Sequence, residues 1–223
     1  MGFWKLMLTI LAKFDILYLR RYAMQNIERI EKSIARNEHE TVIVFDTNGN
    51  ELFRASQGRG DEVTLTPEQW SRAKGNIVTH NHPFDPAMER TGFENTSAFS
   101  FRDIMRSIQY QPAEIRMVVG NEAHSFRWVD HKHDEIMRFL ENLREIEITA
   151  DSNMQITKND IDEAVEKFTH NQTLENRNIA QNAIIEHYQT VISETDKVNR
   201  FIENSQNAGY VFTKGTKGVL ENE

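Results

Sequence analysis

The spacing of apolar positions changes along the chain, and those changes divide it. Between Phe3 and Leu19, the residues Met7, Ile10, Leu11, Phe14, Leu17 and Tyr18 follow i, i+3, i+4, i+7 spacing, which is one face of a helix. Lys5, Lys13 and Asp15 interrupt the stretch, and a charge at the centre of a spanning helix costs roughly 2.5–3.5 kcal/mol. No small-residue cleavage site follows it. The pattern therefore predicts an amphipathic helix that packs or binds a partner, with membrane contact the less favoured reading. It runs on through Ile27 and Ile30 to about Arg36, so residues 1–37 form a first unit.

The period then shortens to two. Thr41-Val42-Ile43-Val44-Phe45 reads as a strand, Asp46-Thr47-Asn48-Gly49-Asn50 as a hairpin turn, and Glu51 to Ala55 as the returning strand. Val63-Thr64-Leu65 is a short third strand. Thr66-Pro67-Glu68 opens a helix, with a threonine cap and proline in the first position. Ile77-Val78-Thr79 is strand again, residues 85–99 form an irregular surface loop, and Ser100 caps a helix to about Ile108. Glu114 to Gly120 and His124 to Val129 form a second hairpin. Alternating strands and helices over residues 38–130 predict an α/β (α+β) core with a mixed sheet.

Beyond Asp130 the pattern is helical. His131 to Glu147 is one helix, and Thr157-Lys158-Asn159-Asp160 resembles a capping box that starts another. Leu174 to Asn204 is a longer helix, roughly 45 Å at full length, with Ala180, Ala183, Ile184, His187, Val191, Val198, Phe201 and Ile202 on one face. Its expected partner is the N-terminal helix. Residues 131–206 are thus a helical extension, and residues 207–223 read as a loose tail.

Charge and composition narrow the chemistry. A net charge of −8 disfavours a general nucleic-acid binder. With no cysteine in the chain, thiolate ligands and disulfides are both excluded, so a bound metal must be held by histidine and carboxylate. With neither leader nor spanning helix read, the expected location is the cytoplasm. The prominent helices suggest a homo-oligomer or a helical partner.

Thr79-His80-Asn81-His82-Pro83 is the most informative segment. At the end of a strand, residues i and i+2 share a face, so both imidazoles can reach one ion. Asp103, placed by the following helix, can complete three ligands and leave a fourth position for water, as catalytic zinc sites do. Other candidates are weaker. His131 and His133 diverge on a helix and read as its solvated start, and His187 as a packed or interface residue. Trp70 and Trp128 read as core, His124 as at most a neighbour of the site, and Asp61-Glu62 as a solvated turn.

His80-x-His82-Pro83 followed by Ser100-x-x-Asp103 resembles the zinc motif of the JAMM/MPN+ (JAB domain) metallopeptidases, in wording closest to bacterial and phage members including RadC-like proteins. The resemblance covers roughly residues 38–130. It implies a curved mixed sheet with flanking helices, JAB/MPN-like and cytidine-deaminase-like, and one Zn2+ on His80, His82 and Asp103 with water as fourth ligand. It also implies that Ser100 supports the oxyanion and that an upstream glutamate is the general base. Glu40 fits that place best, with Glu38 and Glu62 in reserve. Residues 84–99 exceed the family's usual spacing; they are either a substrate lid or a sign that Ser97 or Asp85 matters instead. The implied activity is hydrolysis of a peptide or isopeptide bond in a protein or peptide substrate, with ubiquitin-like proteins among the candidates. The alternatives are a non-catalytic JAB-like structural or binding module, phage- or toxin-associated, and a RadC-like DNA-associated protein.

Overall fold

Alternation along the central strands sends apolar side chains to both faces of a sheet, and helices cover each face. The structure, a computed structural model, describes residues 21–56, 63, 65–129 and 133–216. Helix α1 spans residues 21–34. Strands β1 (Thr41–Phe45) and β2 (Glu51–Ser56) follow, then helix α2 (Pro67–Ser71), strand β3 (Ile77–Asn81) and helices α3 (Pro86–Arg90) and α4 (Phe101–Tyr110). Strands β4 (Glu114–Val119) and β5 (Glu122–Trp128) precede two long helices, α5 (His133–His170) and α6 (Leu174–Asn204). A 3-10 turn (Gln206–Ala208) leads into β6 (Tyr210–Thr216).

The six strands form one mixed sheet in the order β2-β1-β3-β4-β5-β6. β3 and β4 are parallel, and every other pair is antiparallel. Ile43, Phe45, Ile77 and Val118 face Ile27 and Ile34 of α1. Val42, Val44, Val78, Met117 and Phe126 face the opposite way, into a larger core with Ile104 of α4, Leu143 of α5 and Ile202 of α6. The class expected from the sequence is therefore what forms: α+β, with a mixed sheet and flanking helices.

A buried ion pair pins α1 to the sheet. Arg116 of β4 donates from Nε and Nη2 to the two carboxylate oxygens of Glu31, at 2.7 and 3.0 Å. The Thr79 hydroxyl donates to the same carboxylate at 2.8 Å. Burial opposes the charge on Arg116, but the Glu31 and Glu114 carboxylates prevail and hold the guanidinium protonated.

Turn chemistry agrees with the sequence in two places. Gly49 has φ +78°, and Asp46 accepts hydrogen bonds from the Asn48 and Asn50 amides. Thr66 caps α2 in a capping box completed by Gln69.

Several expectations are corrected. Val63 and Leu65 are buried but lie outside any strand. The 85–99 segment contains α3, capped by Asp85, and buries Met88, Asn95 and Phe99. The capping box expected at Thr157 does not occur, because α5 runs unbroken from His133 to His170 and Thr157 lies within it, bonding back to Met154. α6 pairs with α5, since a short connection favours antiparallel neighbours; the described part of the N-terminal helix, residues 21–34, packs instead on Ile43, Phe45, Ile77 and Val118 of the sheet. The supposed tail after Gly209 is β6 as far as Thr216, with Tyr210 and Phe212 in the core. Residues 1–20, Asp61, Glu62, His131 and 217–223 lie outside the described residues. No helix among the described residues is long and apolar enough to cross a membrane.

Candidate metal centre

β3 delivers the two histidines to one side. Its five residues are all buried, and Val42 of β1 lies opposite His80 on one flank while Met117 of β4 lies opposite it on the other. The ladder to β4 extends one bond past the strand, because the His82 amide donates to the Val118 carbonyl at 3.0 Å. His82 therefore stays extended and on the same side as His80.

Helix α4 supplies the third group. Ser100 caps it, and Asp103 is its third helical residue. The Ser100 amide and hydroxyl donate to Asp103 Oδ2 at 2.9 and 2.7 Å, while the Asp103 amide donates to Ser100 Oγ at 3.1 Å. The capping box that starts the helix thus also fixes the carboxylate. Asp103 Oδ1 lies 3.6 Å from His80 Nε2, and Oδ2 lies 3.7 Å from His82 Nε2. His80, His82 and Asp103 form the one cluster of this kind found among the described residues, their ligand atoms all within 4.8 Å of one another.

Those distances suit a shared ion better than hydrogen bonds. Tetrahedral zinc with bonds of about 2.0–2.1 Å separates its ligands by about 3.3–3.4 Å. His80 Nε2 is buried and has no hydrogen-bond partner, a costly state for a polar atom. Two imidazole nitrogens and one carboxylate oxygen are donors that suit zinc. Burial tends to lower the His80 pKa, but the Asp103 and Glu40 carboxylates raise it above its ordinary value. Burial likewise works against ionised Asp103, yet His80 and His82 hold it well below the usual carboxylate range.

Glu40 stands just before β1 and is buried, whereas Glu38 is exposed. Its Oε2 accepts from the Val63 amide at 2.5 Å. Burial raises its pKa, with His80 and the Val63 amide opposing and Asp103 adding to the rise. The carboxyl therefore senses all three members of the cluster, since His82 also acts on it.

Asn81, between the two histidines, points the other way and holds the approach to β1. Its Oδ1 accepts from the Thr41 amide at 2.8 Å, and its Nδ2 donates to the His39 carbonyl at 3.1 Å. Neither this role nor that of Ser97, whose hydroxyl is bonded to His82 Nδ1, follows from motif spacing. Strand alternation was the available signal for Asn81: it must face away from its neighbours. Asp85 remains apart from the cluster as the cap of α3. His124 is fully buried on β5, with Met117 between it and His80 in the row across the sheet, and its Nε2 lies 3.4 Å from Glu122. His187 bonds Thr157 across the α5–α6 pair at 2.9 Å, and Trp70 is buried against Tyr110. Trp128 is half-buried, its indole donating to Ser107 Oγ at 2.7 Å.

Neither a protein-family model, nor a curated protein, nor a solved structure matches the chain.

Proposed function

We propose that this protein is a zinc-dependent hydrolase of peptide or isopeptide bonds, of the JAMM/MPN+ kind, on a JAB-like scaffold. The observation that carries the reading is His80 Nε2, buried and unpartnered, facing Asp103 beside a second imidazole. His80, His82 and Asp103 would hold the ion. Zinc in such a site makes water nucleophilic near neutral pH and polarises the scissile carbonyl.

The chain's own groups account for the proton transfers. Glu40 takes a proton from the attacking water as the C–O bond forms, then gives it to the departing amine as the C–N bond breaks. Burial raises its pKa, which brings a carboxyl closer to the range suited to both tasks. Ser100 holds Asp103 in the resting arrangement, and its hydroxyl proton turns to the developing oxyanion during reaction. A protein or peptide substrate, with a ubiquitin-like tail as the first case to try, follows from the motif's resemblance.

Metal analysis of purified protein tests the centre, with about one zinc per chain expected and little in Asp103→Ala. A zinc-free wild type with the same fold would sink the reading. Cleavage of a ubiquitin-like fusion protein tests the reaction. Glu40→Gln keeps an acceptor for the Val63 amide, so it should retain zinc and lose roughly 10²–10⁴-fold in rate. Stoichiometric zinc without turnover of peptide or isopeptide substrates would leave a metal-binding module and remove the hydrolase.

A further inference from the structure

Helix α6 lies outside the segment that carries the metal motif, yet it reaches the second histidine through two hydrogen bonds. Asn199 of α6 is 3% exposed and donates from Nδ2 to the Ser97 carbonyl at 3.0 Å. The Ser97 hydroxyl is in turn bonded to His82 Nδ1. Val198 and Ile202, the helix neighbours of Asn199, are buried in the apolar core, and Asn199 Oδ1 has no partner. A buried amide with an unsatisfied oxygen is destabilising; its one bond, to the loop beside a candidate ligand, suggests what it does there.

The neighbours of Ser97 are fixed as well. The Thr96 hydroxyl donates to Glu122 of β5 at 2.9 Å. Phe99 is buried against Phe126 and Phe212, with its ring 6.2 Å from that of His80. Phe93 packs on Tyr188 of α6. The 84–99 segment is thereby docked on α6 and on the β5–β6 corner, and Ser97 lies between its anchored points.

We infer that Ser97 is a positioning residue for His82 and that Asn199 of α6 locks Ser97 in place, making the C-terminal helix pair part of the metal centre. This rests on the metal reading above. His82 meets Asp103 through Nε2, so ligation through that nitrogen requires the ring proton on Nδ1, where Ser97 Oγ accepts it. A partner on the far nitrogen fixes tautomer and ring orientation together. The family motif resembled by this chain supplies no such residue by spacing, because the serine arrives through the long 84–99 segment.

The test measures zinc affinity of the full chain, stripped with a chelator and titrated against a chromophoric competitor. Ser97→Ala should weaken zinc about tenfold to a hundredfold, while Ser97→Thr, which keeps the hydroxyl, should bind as wild type does. Asn199→Ala should weaken zinc about tenfold. Val198→Ala, a buried neighbour on α6 with no bond to the loop, should leave affinity unchanged. Cobalt(II) substitution gives a second readout: the visible bands of Ser97→Ala should shift at saturating metal, and those of Ser97→Thr should not. Equal affinity and equal cobalt spectra in wild type and Ser97→Ala would overturn the role of Ser97. Equal weakening in Val198→Ala and Asn199→Ala would overturn the lock. A wild type that binds no zinc would instead overturn the metal reading itself.

Discussion

Replacing Glu31 by glutamine asks how far the histidine-bearing strand depends on the opposite side of the sheet. Glu31 and Arg116 are 2% and 1% exposed. The carboxylate takes two bonds from the guanidinium and a third from Thr79, the residue before His80. Glutamine keeps the shape but offers one oxygen and no charge, so one guanidinium N–H meets another donor. Removing one partner of a buried pair costs about 3–5 kcal/mol. Glu114 still accepts from Arg116 Nη1 at 2.9 Å, which places the expected loss at the lower end, about 3 kcal/mol. For a chain of this size that corresponds to a melting point lower by about 6–12 °C. Urea unfolding of metal-free protein, followed by tryptophan fluorescence, should show a lower midpoint at unchanged slope. The double variant Glu31→Leu, Arg116→Met removes both charges and should return to within about 1 kcal/mol of wild type. A loss below about 1 kcal/mol in Glu31→Gln, the range of a surface pair, would refute the reasoning. So would a double variant as unstable as the sum of its parts.

Three further outcomes are expected. Glu147 of α5 accepts from the Phe101 amide, and burial raises its pKa against that bond. Its stabilising contribution is therefore present below its unfolded pKa and lost as pH rises through the folded value. In chelator-treated protein, wild type should lose stability relative to Glu147→Gln as pH rises from about 4 to 7; the opposite trend would count against this account. Gly49→Ala places a side chain at φ +78°, with its Cβ 2.6 Å from the Ala23 carbonyl oxygen of α1. It should lower unfolding free energy by at least about 1–2 kcal/mol, and an unchanged denaturation midpoint would contradict the close approach. Phe212→Ala in β6 should cost about 3–5 kcal/mol; a near-neutral result would mean that this strand is not part of the core.

The local chemistry of the candidate site was readable in advance because it rests on short-range rules. Alternation put His80 and His82 on one face, and Ser100 declared a helix start that carries Asp103 in its first turn. Glu40 came from the family resemblance rather than from a local rule; it is buried just before β1, whereas Glu38 is exposed. The misreadings share a different cause. Thr157-x-x-Asp160 has the residues of a cap, but the α5–α6 contact keeps the helix running through it. Residues 210–216 look too short to matter alone, between Gly209 and a break at Gly215, and they become a strand because β5 offers an edge to pair with.

The sequence by itself determined the period-two and helical segments, the turn at Gly49, the caps at Thr66 and Ser100, and a donor set limited to histidine and carboxylate. Each follows from a residue's own stereochemistry or from neighbours within a few positions. Tertiary structure alone decided that α5 is the partner of α6, that β6 closes the sheet, and that Arg116 is neutralised from α1. It also decided that Asn81 tethers the Glu40 segment and that Asn199 reaches Ser97. Those contacts join groups separated by tens of residues, and their energies depend on burial, which exists only after the chain has folded.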